Sequence, residues 1–121
     1  MPTIKIEKNL ELSNENIDDL LTTAFEGGIN YWCRGVRVIN LKPEHKELFK
    51  SDLLSLGYSL VLYDAESQDI WGLTLEKFLN GVKWYCEEYG YTDIDDLMSE
   101  HDADTADQIV QYAIFNEIVF G

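Results

Sequence analysis

Two short apolar runs near the middle of the chain, residues 58–63 and 70–75, constrain the fold more than any other feature. The link between them, 64–69, reads Asp-Ala-Glu-Ser-Gln-Asp, which is polar and only six residues long. Strands joined by so short a link pair antiparallel, because a parallel connection needs roughly a dozen residues or more. The hairpin therefore favours an antiparallel sheet, and a doubly wound parallel sheet is the alternative.

The rest of the chain switches between strand and helix periodicity. The apolar residues of 4–12 all fall at even positions, which predicts a strand with one buried face. An aromatic and β-branched run over 29–39, with a bulge expected at Gly35, predicts another. Helical spacing predicts helices over 14–26, 43–56, 75–89 and 103–114. The sequence thus predicts one α+β domain over 1–121, with a mainly antiparallel sheet of about four strands and three to five helices packed on one face.

Composition bounds the class of protein. With 45% hydrophobic residues the chain lies outside the disordered class, and its apolar runs are too short for a membrane-spanning helix. The first residues show neither the basic nor the apolar region of a secretory signal. Cys33 and Cys86 lack any metal-binding or redox spacing, so we expect two half-buried reduced thiols in a cytoplasmic protein.

Charge is distributed very unevenly along the chain. The formal net charge is −14, yet residues 84–121 contain ten Asp and Glu and neither Lys nor Arg, so they form an acidic C-terminal third. Seven of these carboxylates fall within 93–107. If this stretch were one helix it would span about 22 Å. Its charges would then recur about every 3 Å, close to the spacing of phosphates along one DNA strand.

This cluster predicts an acidic surface that imitates nucleic acid. Such a surface would occupy the basic nucleic-acid groove of a partner protein, while nucleic acid itself and anionic membranes would be repelled. The alternative is a solvated face that keeps the protein soluble. The hypothesis requires the carboxylates to point outward as one contiguous surface. The residues predicted to bind the partner are Glu87, Glu88, Asp93, Asp95, Asp96, Glu100, Asp102, Asp104 and Asp107.

Metal binding and catalysis find little support in the sequence. Asp102 and Asp104 begin like a calcium loop, but Asp107 occupies the position that requires glycine. His45 and His101 are the two histidines, and neither lies in a catalytic or metal-binding motif. We therefore expect no metal, no cofactor and no enzymatic activity.

A second kind of site is suggested by the arginines. Arg34 and Arg37 are the two arginines of the chain and lie on one predicted strand. Together with Trp32 or Trp71 they predict a site for a small anionic ligand, since guanidinium groups pair with anions and aromatic rings stack on planar groups.

Three segments resemble small accessory proteins carried by phages and prophages of Gram-positive bacteria. They are residues 21–33 (LTTAFEGGINYWC), residues 63–81 with YDAES and LEKFLNG, and residues 103–121 with IVQYAIF. The resemblance implies a role against host defence, and no site residues come with it. The leading hypothesis is a non-enzymatic inhibitor of a nucleic-acid-binding host defence protein. The alternatives are a homo-oligomeric sponge for a cyclic-nucleotide immune signal, and a structural or regulatory phage protein.

Overall fold

The computed structural model describes residues 11–48 and 50–121, which form an α+β fold. In these residues three strands make one antiparallel sheet, and the other elements include five α-helices. The elements are α1 (Asn14–Thr23, continued by a π-helical turn at Ala24–Gly28), β1 (Cys33–Val38), α2 (Lys50–Ser55), β2 (Leu60–Asp64), β3 (Ile70–Leu73), α3 (Leu75–Tyr89), α4 (Ile94–Glu100) and α5 (Ala103–Phe115). The predicted α+β class is confirmed, with three strands in the described part. The strand predicted over 4–12 falls mostly outside the described residues.

The sheet has the order β1-β2-β3, and the predicted hairpin is confirmed. In the β2–β3 pair Leu62 lies opposite Trp71, and in the β1–β2 pair Val36 lies opposite Leu62. The register of β1 shifts between Cys33 and Gly35, so the bulge expected at Gly35 is present. Central strand β2 is largely buried, as its apolar sequence requires.

The helix ends follow their capping residues. The Thr74 hydroxyl accepts the backbone N–H of Lys77 at the start of α3, and Gly90 ends the helix in the left-handed conformation at φ 78°. Ser13 and Asn16 form a capping box at the start of α1. These short-range signals were sufficient to predict where both helices begin.

Two predicted elements are shorter than expected. Where one helix is predicted over 43–56, the structure has a 3₁₀ turn at Pro43–His45 followed by α2. The apolar residues keep helical spacing through both elements, so the sequence does not show that the helix is interrupted. The strand predicted over 29–39 begins only at Cys33. Its first residues form a turn in which the N–H groups of Trp32 and Cys33 donate to the carbonyl of Ile29.

Helices α3 and α5 approach each other closely through small residues. A Cβ added at Gly81 would lie 2.5 Å from the carbonyl oxygen of Ile109 and 3.0 Å from the Cβ of Ala113. Glycine is therefore required where the backbones meet. Val82 and Val110 are buried in the same core.

Both cysteines belong to the interior. Cys33 and Cys86 are buried and are not joined by a disulfide, so the prediction of two thiols is confirmed, although they are more deeply buried than expected. Burial raises the pKa of the Cys33 thiol. Among the described helices, none has the length and apolar character needed to cross a membrane.

Candidate functional site: an acidic and aromatic surface

The acidic stretch forms two helices instead of one. Asp93 precedes α4 and accepts the backbone N–H of Asp95 over 2.9 Å, while Asp102 precedes α5 and accepts the N–H of Thr105 over 2.9 Å. Between the helices His101 is extended, with φ −64° and ψ 145°. Aspartate favours the N-cap position, so the same residues that supply charge also divide the stretch. The carboxylates therefore do not follow a single helical line.

Most of the predicted partner-binding carboxylates are exposed. Asp93 is half-buried beside its cap, and Asp107 is buried. The exposed members are Glu87, Glu88, Asp95, Asp96, Glu100, Asp102 and Asp104.

Tyrosines at the end of α3 connect the end of α4 to α5. Tyr91 donates its phenolic hydrogen to Oε2 of Glu100 over 2.6 Å. The ring of Tyr85 lies 6.1 Å from that of Tyr91 and 4.4 Å from that of Tyr89. The hydroxyl of Tyr89 then donates to Oε1 of Gln108 over 2.7 Å. This series of contacts runs from a carboxylate of α4 to a side chain of α5.

Further hydrogen bonds lead from these tyrosines to the two carboxylates at the start of α5. Gln108 donates its amide to Oδ2 of Asp104 over 3.1 Å. Thr105 Oγ1 lies 3.3 Å from the hydroxyl of Tyr85 and donates to Oδ1 of Asp102 over 3.1 Å. We call the exposed and half-buried residues brought together in this way the acidic–tyrosine surface: Tyr89, Tyr91, Glu100, Asp102 and Asp104.

Within the described part of the chain, the hydrogen-bond donors that meet these carboxylates are uncharged. Glu100 accepts from a phenol, Asp102 from a backbone amide and a hydroxyl, and Asp104 from a side-chain amide. Such donors orient the carboxylates without cancelling their charge. The surface therefore keeps its negative potential.

Hydrogen bonds and burial shift the pKa values of three groups in and beside this surface. The N–H of Thr105 holds the pKa of Asp102 below its ordinary value. The bond to Glu100 raises the pKa of Tyr91 to about 12. Burial raises the pKa of Tyr85, and the charges of Asp102 and Asp104 add to the rise. At neutral pH Tyr85 and Tyr91 are thus uncharged and Asp102 is an anion.

The prediction that Asp107 faces outward is wrong. Its carboxylate is only 5% exposed. It accepts hydrogen bonds from the Tyr31 hydroxyl over 2.5 Å, the Trp32 indole over 2.7 Å and the Gln111 amide over 2.9 Å. Position 107 precedes Val110 by three residues and Ile114 by seven, so it lies on the apolar stripe of α5. This helical spacing indicates burial of Asp107, whereas its place in the acidic stretch 93–107 suggests exposure.

The tryptophans of the predicted anion site belong to the core. Trp32 is 2% exposed and stacks on Phe120 with ring centroids 5.1 Å apart. Trp71 is half-buried, with its ring 5.0 Å from that of Phe115. The prediction that Trp32 contacts a ligand is therefore wrong, and Trp71 packs within the same aromatic cluster.

Arg34 and Arg37 are both exposed on β1. Arg34 donates its Nε–H to the carbonyl of Asp64 over 3.0 Å, and its guanidinium lies 5.1 Å from the centre of the Tyr63 ring. The arginines therefore line the surface beside β1, separately from the buried indole of Trp32.

The histidines make structural contacts. His45 Nδ1 lies 2.7 Å from the hydroxyl of Tyr58. His101 Nε2 lies 3.2 Å from Oγ1 of Thr23, and its Nδ1 lies 2.7 Å from the carbonyl of Met98, so this ring links α1 to α4. Within 11–48 and 50–121, no three His, Cys, Asp or Glu side chains form a group that could hold a metal ion.

Comparison with known proteins adds no family to this description. No protein-family model, curated protein or solved structure matches the chain.

Proposed function

We propose that this protein is a non-enzymatic inhibitor that occupies the basic nucleic-acid groove of a partner protein with its acidic–tyrosine surface. The observation that carries the proposal is the grouping of Glu100, Asp102 and Asp104 around tyrosines, with uncharged hydrogen-bond donors. Fixed carboxylates of this kind attract Lys and Arg, and they accelerate association at low salt. Further carboxylates on α3 and α4 are also exposed and add to the negative charge of this third of the chain: Glu87, Glu88, Asp95 and Asp96.

Exposed tyrosine rings supply the apolar part of the interface. Tyr89 is 52% exposed, and Tyr91, the other tyrosine of this surface, is half-buried. Tyrosine is enriched in protein interfaces because it buries a large ring and keeps a polar hydroxyl. A surface that served solubility alone has no need of these rings.

The class of partner comes from the resemblance to phage accessory proteins. We propose a host defence nuclease or effector in the cytoplasm of a Gram-positive host. The partner is a protein and not nucleic acid, because a chain of net charge −14 repels the polyanionic backbone of DNA and RNA.

The test compares two variants with the same net charge. One carries Glu100→Gln, Asp102→Asn and Asp104→Asn, and asparagine retains the capping function at position 102. The matched control carries three substitutions at exposed positions outside the acidic third. These are Glu44→Gln, Glu47→Gln and Glu66→Gln.

Each protein is immobilised, incubated with lysate of a Gram-positive bacterium, and washed at low salt. We expect wild type and the control to retain a nucleic-acid-binding protein that double-stranded DNA or higher salt releases, and the triple variant to lose it. Equal capture by the triple variant, or capture that DNA does not displace, would contradict the proposal. Capture that DNA does not displace is the result expected if the chain is a structural or regulatory phage protein.

A further inference from the structure

Two cavities lie beside the bulge of β1 and share Arg34, Gly35 and Val36 in their lining. The larger is about 500 Å³ and reaches Phe25 and Lys50, and the smaller is about 360 Å³ and reaches Arg37 and Tyr63. Binding sites for small molecules usually fall in the range of about 300–1,000 Å³. We call the larger cavity the β1 cleft.

The charge of these cavities is opposite to that of the protein as a whole. Among the described residues, their linings include Arg34, Arg37 and Lys50 and contain neither Asp nor Glu, whereas the whole sequence has 23 acidic residues. A local group of cations in so acidic a protein provides a place where an anion can approach favourably.

Apolar groups form the other part of the β1 cleft. Phe25, Ile29 and Val36 line it, and the Nζ of Lys50 lies 5.6 Å from the centre of the Phe25 ring. The cleft thus combines a cation, an aromatic ring and aliphatic surface. A ligand that fits it has an anionic group attached to a planar, partly apolar one.

The position of Arg34 suits recognition of a phosphate. Its Nε–H donates to the Asp64 carbonyl, which orients the side chain, and the terminal N–H groups of a guanidinium form the fork that binds oxyanions in a bidentate manner. A bulge commonly redirects a side chain, and this one lies at Arg34.

The chemistry of the β1 cleft is binding and not covalent catalysis. Cys33 also lines the cleft, but burial raises the pKa of its thiol. A protonated thiol is a poor nucleophile.

We propose that the β1 cleft binds a nucleoside monophosphate, with the phosphate between Arg34 and Lys50 and the base against Phe25 and Val36. This site is independent of the acidic–tyrosine surface and of the partner proposed for it. It retains the arginine of the anion site predicted from sequence and replaces the tryptophans with Phe25.

Gly35 offers a way to block the cleft without changing its charge. It lines both cavities, and a Cβ added there would meet no atom within 4 Å. Gly35→Leu places a branched side chain in the cavity space, whereas Gly35→Ala adds one methyl group and serves as the matched control.

Isothermal titration calorimetry measures binding of AMP, GMP, cyclic AMP, adenosine and inorganic phosphate to the full chain. We expect a nucleotide to bind at one per chain, and adenosine and inorganic phosphate to bind at least roughly tenfold more weakly. Gly35→Leu and the double variant Arg34→Gln/Lys50→Gln should each lose about tenfold or more in affinity. Gly35→Ala and a charge control, Lys46→Gln/Lys83→Gln, should bind like wild type.

Three results would overturn the proposal. These are the absence of nucleotide binding to wild type, undiminished binding to both blocked variants, and inorganic phosphate binding as tightly as the nucleotides. Circular dichroism and thermal unfolding establish that each variant is folded before its affinity is compared.

Discussion

The indole Nε1 of Trp32 donates a hydrogen bond to Oδ1 of Asp107 over 2.7 Å, and both side chains are buried. The bond joins the turn before β1 to the middle of α5. Gln111, one turn further along α5, donates to the same carboxylate oxygen. The Oε1 of Gln111 also accepts the N–H groups of Val119 and Phe120, which positions the C-terminal segment against Trp32.

Asp107→Ala should destabilise the protein by about 3 kcal/mol, because it removes the acceptor of the buried Trp32 indole and one acceptor each of the Tyr31 hydroxyl and the Gln111 amide. Urea denaturation measures the loss. Asp104→Ala, which removes an exposed carboxylate one turn earlier on the same helix, should change the free energy of unfolding by about 0.5 kcal/mol or less. Equal stability of the two variants would show that the buried hydrogen bonds of Asp107 make no net contribution to the free energy of unfolding.

Local signals predicted the parts of the fold that local chemistry determines. The hairpin followed from its short polar link, and α3 followed from Thr74 and Gly90, because a cap or a tight turn is specified by residues a few positions apart. The bulge beside Gly35 is likewise a feature that neighbouring residues specify.

The errors arise where distant segments meet. Trp32 looked available to a ligand because nothing near it in sequence shows that Asp107 and Phe120 cover it. Of the residues that line the β1 cleft, the sequence singles out Arg34 as a ligand contact but not Phe25 or Lys50. These two come from separate elements of the fold, and sequence spacing does not show that they lie near Arg34. Asp107 differs, because its spacing from Val110 and Ile114 indicates the face of α5 that packs against the core.

Gly81→Ala should destabilise the protein by roughly 1–3 kcal/mol, since the new methyl group would lie too close to the Ile109 carbonyl and overpack the contact between α3 and α5. Gly27→Ala is the matched control. A Cβ there meets no atom within 4 Å, so it should be neutral or stabilising by about 0.5–1 kcal/mol. Thermal unfolding of both variants measures the difference. A Gly81→Ala protein as stable as wild type would mean that the two helices can separate slightly without cost.

Asp102 should make the stability of the protein depend on acid. Hydrogen bonds from Thr105 lower its folded-state pKa below the ordinary value of 3.8. The folded state therefore favours the ionised form, and this contribution is present above pH 3.8 and is lost as the pH falls through the lowered folded value. Asparagine caps the helix without titrating, so Asp102→Asn should be less sensitive to acid than wild type. Urea denaturation at neutral and at acid pH compares the two proteins, and parallel losses of stability would contradict this assignment.

Tyr91 should titrate well above an ordinary tyrosine because its hydroxyl donates to Glu100. The bond raises the pKa of Tyr91 from 10.0 to about 12. The folded state holds this proton more tightly than the unfolded chain, so the resulting stabilisation is present below pH 10 and is lost as the pH rises towards about 12. Glu100→Gln removes the charge at the acceptor and should return the pKa of Tyr91 towards 10.0.

Carbon-13 chemical shifts of labelled tyrosine rings follow this titration, and Tyr91→Phe identifies the resonance. Glu88→Gln neutralises an exposed carboxylate on α3 and serves as the control, for which the titration should stay at its wild-type position. If Tyr91 of the wild-type protein titrates near 10, its hydroxyl is not held by Glu100 in solution. The acidic–tyrosine surface would then lack the contact that joins α4 to the tyrosines of α3.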